Sequence, residues 1–292
     1  MHIRTLKSDL LLLLTAIIWG FAFVAQRVGM DYVGPFTFNG VRFALGGLSL
    51  FPLLVITLKS EDTAAEISPK TVIVGGGLAG LAVFMGASLQ QLGLVYTTAG
   101  KAGFITGLYV ILVPILGILL KHRTALGTWI GAVLAVVGMY FLSVTETFTI
   151  ARGDLLELMG AFFWAAHIQV IGRFSRQIHP LRLAFLQCIV CSLLSLITAI
   201  FFETITLQSL LAAGIPIFYG GVLSVGVAYT LQVVGQRDAQ AAHAAILLSL
   251  EAVFAVIGGW ILLRETLTLR GRCGCLLMFA GMLVSQFKSQ DT

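Results

Sequence analysis

The chain has 292 residues, of which 58% are hydrophobic and only 11% are charged. Roughly a quarter of the residues in a soluble domain are charged, so this composition excludes a soluble globular protein and indicates an integral membrane protein. The formal net charge is +5, but the basic residues stand singly or in small groups between apolar runs. That distribution indicates membrane topology rather than a nucleic-acid partner.

Apolar runs of about 20 residues follow one another along the chain, separated by short polar breaks. Because backbone polar groups in hydrocarbon must be hydrogen-bonded within their own segment, we predict an all-α polytopic membrane protein with ten transmembrane helices. The bias of Lys and Arg towards alternate loops predicts that both termini are cytoplasmic. The predicted helices cover 9–29, 35–57, 70–93, 97–120, 125–144, 153–174, 180–203, 210–235, 239–263 and 270–287.

The two halves of the chain resemble each other. The segment "DLLLLLTAIIW" at 9–19 aligns with "DLLELMGAFFW" at 154–164, which pairs Trp19 with Trp164. Each half holds five predicted helices, and because this number is odd the second copy crosses the membrane inverted. Inverted repeats are typical of alternating access around a site near the bilayer midplane. The predicted repeats are residues 1–147 and 148–292.

One glycine-rich stretch favours a different function. The segment "TVIVGGGLAGL" at 71–81 satisfies G-x-G-x-x-G through Gly75, Gly77 and Gly80, so the alternative is a membrane-embedded oxidoreductase that binds a dinucleotide there. That fingerprint needs a preceding strand and an acidic residue about 20 positions further on, but the next acidic residue is Glu146. We therefore favour close helix packing by these glycines and predict no cofactor.

Two segments carry a resemblance to a known family. "YTTAGKAGFITGLYVILVPILGILL" at 96–120 resembles the fourth helix of the drug/metabolite transporter superfamily, and "AAILLSLEAVFAVIGGWILLRE" at 244–265 resembles its ninth, closed by Glu265. With the five-helix repeats, they make nearly the whole chain similar to the EamA-type ten-helix exporters. The resemblance implies export of small metabolites across a bacterial inner (plasma) membrane. Amino acids are a common substrate class in that family, and YddG-type aromatic amino-acid exporters are the best single fit.

Two tryptophans stand at matched depths in the first and sixth predicted helices. Trp19 lies ten residues beyond Asp9, which at about 1.5 Å per residue places it near the midplane, and Trp164 occupies the aligned position. Tryptophans that only anchor a helix lie at its ends. Because Phe23 and His167 share a helix face with these tryptophans, we predict an aromatic-lined pocket with one polar group. Ordinary helix packing is the alternative.

Several ionisable residues lie inside apolar runs. Lys101 and its aligned residue His243 each stand at the positive end of a predicted helix, where they are suited to bind a substrate carboxylate; snorkelling to the surface is the alternative. Glu251 lies deep in the ninth helix, aligned with Tyr109, and either a structural hydrogen bond or a substrate or proton role fits it. For Arg42 the sequence favours snorkelling.

The sequence therefore predicts a transporter, not an enzyme, that moves a small amphipathic substrate outward through the lipid bilayer. No carboxylate is expected in the interior of the first or sixth helix, so proton coupling through an acid there is not supported, and facilitated export stays open. We predict no metal site, and the sequence assigns no oligomeric state, although a monomer is compatible with it. The candidate substrate-binding residues are Trp19, Phe23, Lys101, Tyr109, Trp164, His167, His243 and Glu251.

Overall fold

A computed structural model describes residues 2–60, 68–121, 124–143, 152–264 and 269–287. Within these ranges every regular element is a helix, which confirms the predicted all-α class for the described part of the chain. Glu265, part of the family resemblance, lies outside the described residues.

The helices follow the predicted apolar runs closely. A short helix, Leu207–Ala212, precedes α8. The labelled helices are α1 (His2–Gly29), α2 (Pro35–Ser60), α3 (Pro69–Leu94), α4 (Ala99–Leu119), α5 (Leu126–Ser143), α6 (Arg152–Phe174), α7 (Pro180–Phe202), α8 (Gly214–Asp238), α9 (Ala241–Leu263) and α10 (Leu269–Phe287).

Eight of these helices, all except α5 and α10, are long and apolar enough to cross a membrane. The apolar parts of α5 and α10 are shorter and cover Leu126–Gly138 and Arg272–Gly281. The chain is therefore a multi-pass membrane protein with at least this set of candidate spans. The predicted count of ten crossings stays a prediction.

Local sequence signals explain where several helices begin. Pro35, Pro69 and Pro180 each occupy the start of a helix, where the missing N–H leaves no hydrogen bond unmade. The α4 helix instead begins after Thr98, whose hydroxyl accepts a hydrogen bond from the backbone N–H of Lys101 at 3.3 Å. This cap fixes Lys101 in the first turn of α4.

The helices pack in matched pairs. The α1 helix packs against α8 and α9, and its aligned partner α6 packs against α3 and α4 in the same way. Helices α2 and α7 pack against each other, as do α5 and α10. Each first-half helix thus contacts second-half helices, so a site at the centre is built from both halves.

Two helices are interrupted at aligned positions. In α4 the regular helix stops at Gly107 and resumes at Tyr109, and in α9 it stops at Ser249 and resumes at Glu251. At both points the backbone makes tighter i to i+3 hydrogen bonds. Short stretches of this kind often mark a hinge or a functional position within a helix. Tyr109 follows the interruption of α4 and Glu251 follows that of α9, so each interruption is followed by a polar side chain at an aligned position.

The glycine-rich motif lies inside the single helix α3. A Cβ atom at Gly76 would lie 2.6 Å from the Cβ of Leu186, and one at Gly75 would lie 2.6 Å from Cδ1 of Ile178. The missing side chains therefore let α3 approach α7 and the turn before it closely. This is the packing role expected from the sequence, and the strand that a dinucleotide fingerprint requires is replaced here by helix.

Candidate functional site

A cavity lies where α1, α2, α3, α4, α6, α8 and α9 meet. Its empty volume, with its open mouth included, is about 450 Å³. The lining residues are Trp19, Phe23, Gln26, Arg42, Gln90, Thr106, Tyr109, Trp164, His167, Ile168, Ser224, Tyr229, Gln232 and Glu251. The cavity is thus walled by aromatic rings and by an unusual number of polar side chains for a membrane interior.

The two aligned tryptophans occupy the same cavity. The Trp19 indole N–H donates to the carbonyl oxygen of Ser224 at 3.1 Å, and the Trp164 indole N–H donates to Oε1 of Gln90 at 2.9 Å. The ring of Tyr229 lies 4.9 Å from Trp19 and 6.4 Å from Trp164, centroid to centroid. Because the indole N–H groups are already bonded, the rings present mainly their apolar surfaces.

Phe23 and His167 also line this cavity. His167 is completely buried, and its Nε2 lies 2.8 Å from Oε1 of Gln187. Its Nδ1 is buried and has no hydrogen-bond partner among the described residues. One ring nitrogen is therefore held by a neighbouring helix, while the other is available for a polar group.

Tyr109 and Glu251 meet across the cavity although they come from different halves. The Tyr109 hydroxyl donates to Oε1 of Glu251 at 2.9 Å. Glu251 is 4% exposed, and its second oxygen makes no hydrogen bond within the described ranges. Because the two residues are aligned with each other in the sequence, their direct contact places them where the two halves meet. The hydrogen bond expected for Glu251 is present, and one oxygen is left for a ligand.

Arg42 does not snorkel, so the expectation from the sequence is wrong. Its side chain is 3% exposed and lines the cavity. The α2 face that carries it packs against α8, where a Cβ at Gly220 would lie 3.3 Å from Cδ of Arg42. The glycine makes room for the arginine inside the bundle.

Lys101 and His243 are not brought to the cavity wall. The Nζ of Lys101 lies 2.7 Å from Oδ2 of Asp154, near the starts of α4 and α6. The Nε2 of His243 lies 2.9 Å from Oδ1 of Asp9, near the starts of α9 and α1. Lys101 is aligned with His243 and Asp154 with Asp9, so the two pairs are equivalent. Each joins a helix of the first half to a helix of the second half, and neither Lys101 nor His243 lines the cavity.

The sixth helix does contain an interior carboxylate, which corrects the sequence prediction. Glu157 is completely buried, and its Oε2 accepts a hydrogen bond from the Thr106 hydroxyl at 3.0 Å. It lies only one turn from the start of α6, so the sequence alone placed it near the surface. A Cβ at Gly93 would lie 2.6 Å from its Oε1, and the absence of that Cβ lets the carboxylate enter the bundle.

Comparison with known proteins identifies the family. The profile of the EamA-like transporter family matches residues 6–144 and 151–286. The chain belongs to the EamA-like transporter family. An uncharacterized transporter of Archaeoglobus fulgidus is 36% identical over 286 residues, which is 97% of this chain and 86% of that protein. The proposed resemblance to the drug/metabolite transporter superfamily is thereby confirmed.

Further comparisons give a more distant relative and a protein of similar fold. A protein of Salmonella typhimurium named a probable amino-acid metabolite efflux pump is 25% identical, over 96% of this chain and 95% of its own length. A protein of known crystal structure superimposes with a TM-score of 0.74 at 18% identity, covering 96% of this chain and 97% of the other. At that identity the superposition shows the fold alone. The family and the relatives are transporters, so the function of this EamA-like chain is transport across a membrane.

Several lining residues of this EamA-like transporter escaped the sequence analysis. Tyr229 is the ring that contacts both tryptophans, yet it lies in α8, where no aligned aromatic residue drew attention. Gln90 and Gln232 both line the cavity and stand at aligned positions of α3 and α8. Glutamine at aligned positions of two apolar runs is the sequence signal that indicates Gln90 and Gln232 as candidates.

Proposed function

We propose that this chain exports small amphipathic metabolites, amino acids with aromatic side chains among them, from the cytoplasm by alternating access. The observation that carries the proposal is the cavity in which Trp19 and Trp164, from aligned positions of the two halves, face a common space with Tyr229 between them. Aromatic rings around a common space suit a flat apolar group, and the nearby polar side chains suit the charged part of an amphipathic molecule. The efflux-pump name of the Salmonella relative supports the same direction and substrate class.

The proposal includes an inverted arrangement of two five-helix repeats, residues 1–147 and 148–292. The matched packing of α1 on α8 and α9, and of α6 on α3 and α4, supports it. The interruptions of α4 and α9 at aligned residues support it as well, because inverted-repeat transporters build their sites from broken helices at the repeat interface. In this arrangement both termini lie on the cytoplasmic side of the inner membrane.

The Lys101–Asp154 and Asp9–His243 pairs close the cavity on its two sides, as alternating access requires. In the proposed topology α1 and α9 begin at the cytoplasmic side, whereas α4 and α6 begin at the outer side. The Asp9–His243 pair then parts when the cavity opens inward, and the Lys101–Asp154 pair parts when it opens outward. Because each pair links a first-half helix to a second-half helix that lines the cavity, a small tilt of one half against the other breaks one pair and leaves the other intact.

Transport by the purified protein in liposomes tests the proposal. Proteoliposomes would be loaded in turn with labelled aromatic amino acids, aliphatic amino acids and nucleosides, and release would be followed against protein-free liposomes. We expect saturable release of aromatic amino acids, faster than that of small aliphatic ones. Release equal to that of protein-free liposomes for the whole panel would contradict the proposed function.

A further inference from the structure

The cavity holds a buried cation without a counter-ion. The Nε of Arg42 donates to Oδ1 of Asn39 at 3.0 Å, and the guanidinium carbon lies 5.4 Å and 5.1 Å from the ring centroids of Phe38 and Phe43. No carboxylate of the described residues forms a salt bridge with it. Aromatic faces and one amide oxygen only partly replace the hydration that a buried guanidinium loses. A bound anion would supply the partner that Arg42 lacks.

The geometry of Arg42 suits a carboxylate in particular. With Nε bonded to Asn39, the two terminal nitrogens of the guanidinium remain without a hydrogen bond in the described part of the structure. Two parallel N–H groups match the two oxygens of a carboxylate, which makes such pairs both strong and directional. The facing segment of α8, Tyr219–Ala228, is a π-helical stretch, and such stretches occur frequently at functional sites.

The same cavity holds a buried carboxylate without a cation. Glu251 is 4% exposed and accepts one hydrogen bond from Tyr109, and no Lys, Arg or His of the described residues lies within ion-pair distance of it. An ionisable residue this deep in a membrane protein is a candidate for a functional role. An ammonium group of a bound molecule would supply the opposite charge and hydrogen-bond donors for the free oxygen.

We infer that Arg42 binds the carboxylate and Glu251 the ammonium group of a zwitterionic α-amino acid, whose side chain packs between the rings of Trp19, Trp164 and Tyr229. This inference rests on the proposed function and narrows its substrate class. Arg42 and Glu251 line the same cavity, and a single zwitterion offers each of them a group of complementary charge. A molecule that carries only one of the two groups leaves the other protein charge buried without a partner, and that difference is the basis of selectivity.

The test compares three probes that share a phenyl group. L-Phenylalanine carries both charges, L-phenylalaninamide lacks the carboxylate, and 3-phenylpropionate lacks the ammonium group. Affinities would be measured by isothermal titration calorimetry on the purified full-length protein. We expect the unmodified protein to bind phenylalanine at least tenfold more tightly than either single-charge analogue, which corresponds to about 1.4 kcal/mol. Equal affinities for the three probes would overturn the inference.

Two variants assign each charge to its group. Arg42→Gln is expected to weaken the binding of phenylalanine and of 3-phenylpropionate at least tenfold, while the affinity for the amide changes less than twofold. Glu251→Gln is expected to weaken the binding of phenylalanine and of the amide, while the affinity for 3-phenylpropionate changes little. Arg27→Gln removes an exposed cation at the end of α1, outside the cavity lining, and is the matched control, because the ratio of acid to amide affinity should stay that of the unmodified protein. A loss of amide binding in Arg42→Gln as large as the loss of acid binding would also overturn the assignment.

The design separates failure of this inference from failure of the proposed function. Thermal unfolding of each variant shows whether it is folded, and if Arg42→Gln does not fold, the three probes on the unmodified protein decide the question. Proteoliposomes that transport amphipathic metabolites without preference for the zwitterion would leave the proposed function standing and remove the roles of Arg42 and Glu251. An absence of transport for every metabolite would contradict the proposed function itself.

Discussion

Exchanging the charges of the Lys101–Asp154 pair, which lies at the outer side in the proposed topology, tests whether this pair closes the cavity. The Nζ of Lys101 and Oδ2 of Asp154 are 2.7 Å apart, with side chains 39% and 10% exposed. Removing one partner of a fully buried pair costs about 3 to 5 kcal/mol, and exposed pairs contribute about 0.2 to 1 kcal/mol. Because Lys101 is more than a third exposed, solvent screening places this pair near the lower range, at about 1 kcal/mol. Asp154→Asn should therefore shift the balance between outer-closed and outer-open forms by roughly fivefold.

The assay measures access to the cavity from outside. The four native cysteines would be replaced by alanine, and Ser224→Cys in the cavity wall would report labelling by a membrane-impermeant maleimide added outside. We expect Asp154→Asn to raise the labelling rate and Lys101→Asp to raise it further, since two carboxylates then face each other. The double variant Lys101→Asp with Asp154→Lys restores the attraction and should return the rate towards that of the parent.

Breaking the Asp9–His243 pair, which lies at the cytoplasmic side in the proposed topology, should have the opposite effect on the labelling rate. Asp9→Asn weakens closure on the cytoplasmic side, so it should favour the inward-open form and lower labelling from outside. Arg27→Gln is the control, because it breaks an exposed pair with Asp31 within one turn of chain at the end of α1. Unchanged labelling in Asp154→Asn, or failure of the charge exchange to restore the parent rate, would refute the role of the pair in closure.

Three further outcomes are expected. Trp19→Ala and Trp164→Ala should each weaken transport of an aromatic amino acid several-fold more than that of an aliphatic one, because stacking contributes about 0.5 to 1.5 kcal/mol beyond buried area; equal losses in liposome flux would contradict this. Gly93→Ala should lower the unfolding temperature, since its Cβ would lie 2.6 Å from a buried carboxylate oxygen, whereas Gly77→Ala, with no atom within 4 Å, should not. A cysteine placed at either terminus should react with impermeant maleimide only from the cytoplasmic side.

The sequence was sufficient for the fold class and for much of the cavity. Apolar runs bounded by polar residues predict helices well, because a backbone in hydrocarbon has few alternatives. Trp19 and Trp164 were found because two aligned tryptophans at one depth are rarely needed as anchors. Tyr109 and Glu251 were found through the same alignment, and the structure brings the two into contact.

The residues that escaped depend on contacts between helices far apart in the sequence. Whether Arg42 snorkels or turns inward depends on Gly220 of α8, and whether Glu157 is exposed depends on Gly93 of α3. The sequence pattern of a helix predicts how far along the helix a side chain lies, but not which residue of a neighbouring helix leaves space for it. Lys101 lies at the start of a helix, as the sequence predicts. Its ion-pair partner, Asp154, comes from another helix, and the sequence alone does not indicate that pairing.

Counterflow in proteoliposomes tests most directly the claim that this cavity carries amino acids by alternating access. Vesicles would be loaded with unlabelled phenylalanine at high concentration and diluted into a trace of the labelled compound. A carrier that alternates its one site predicts transient accumulation of label above equilibrium, and this accumulation should be lost in the double variant Trp19→Ala with Trp164→Ala. Label that rises only to equilibrium, as through a channel, or accumulation unaffected by loss of both tryptophans, would contradict the claim.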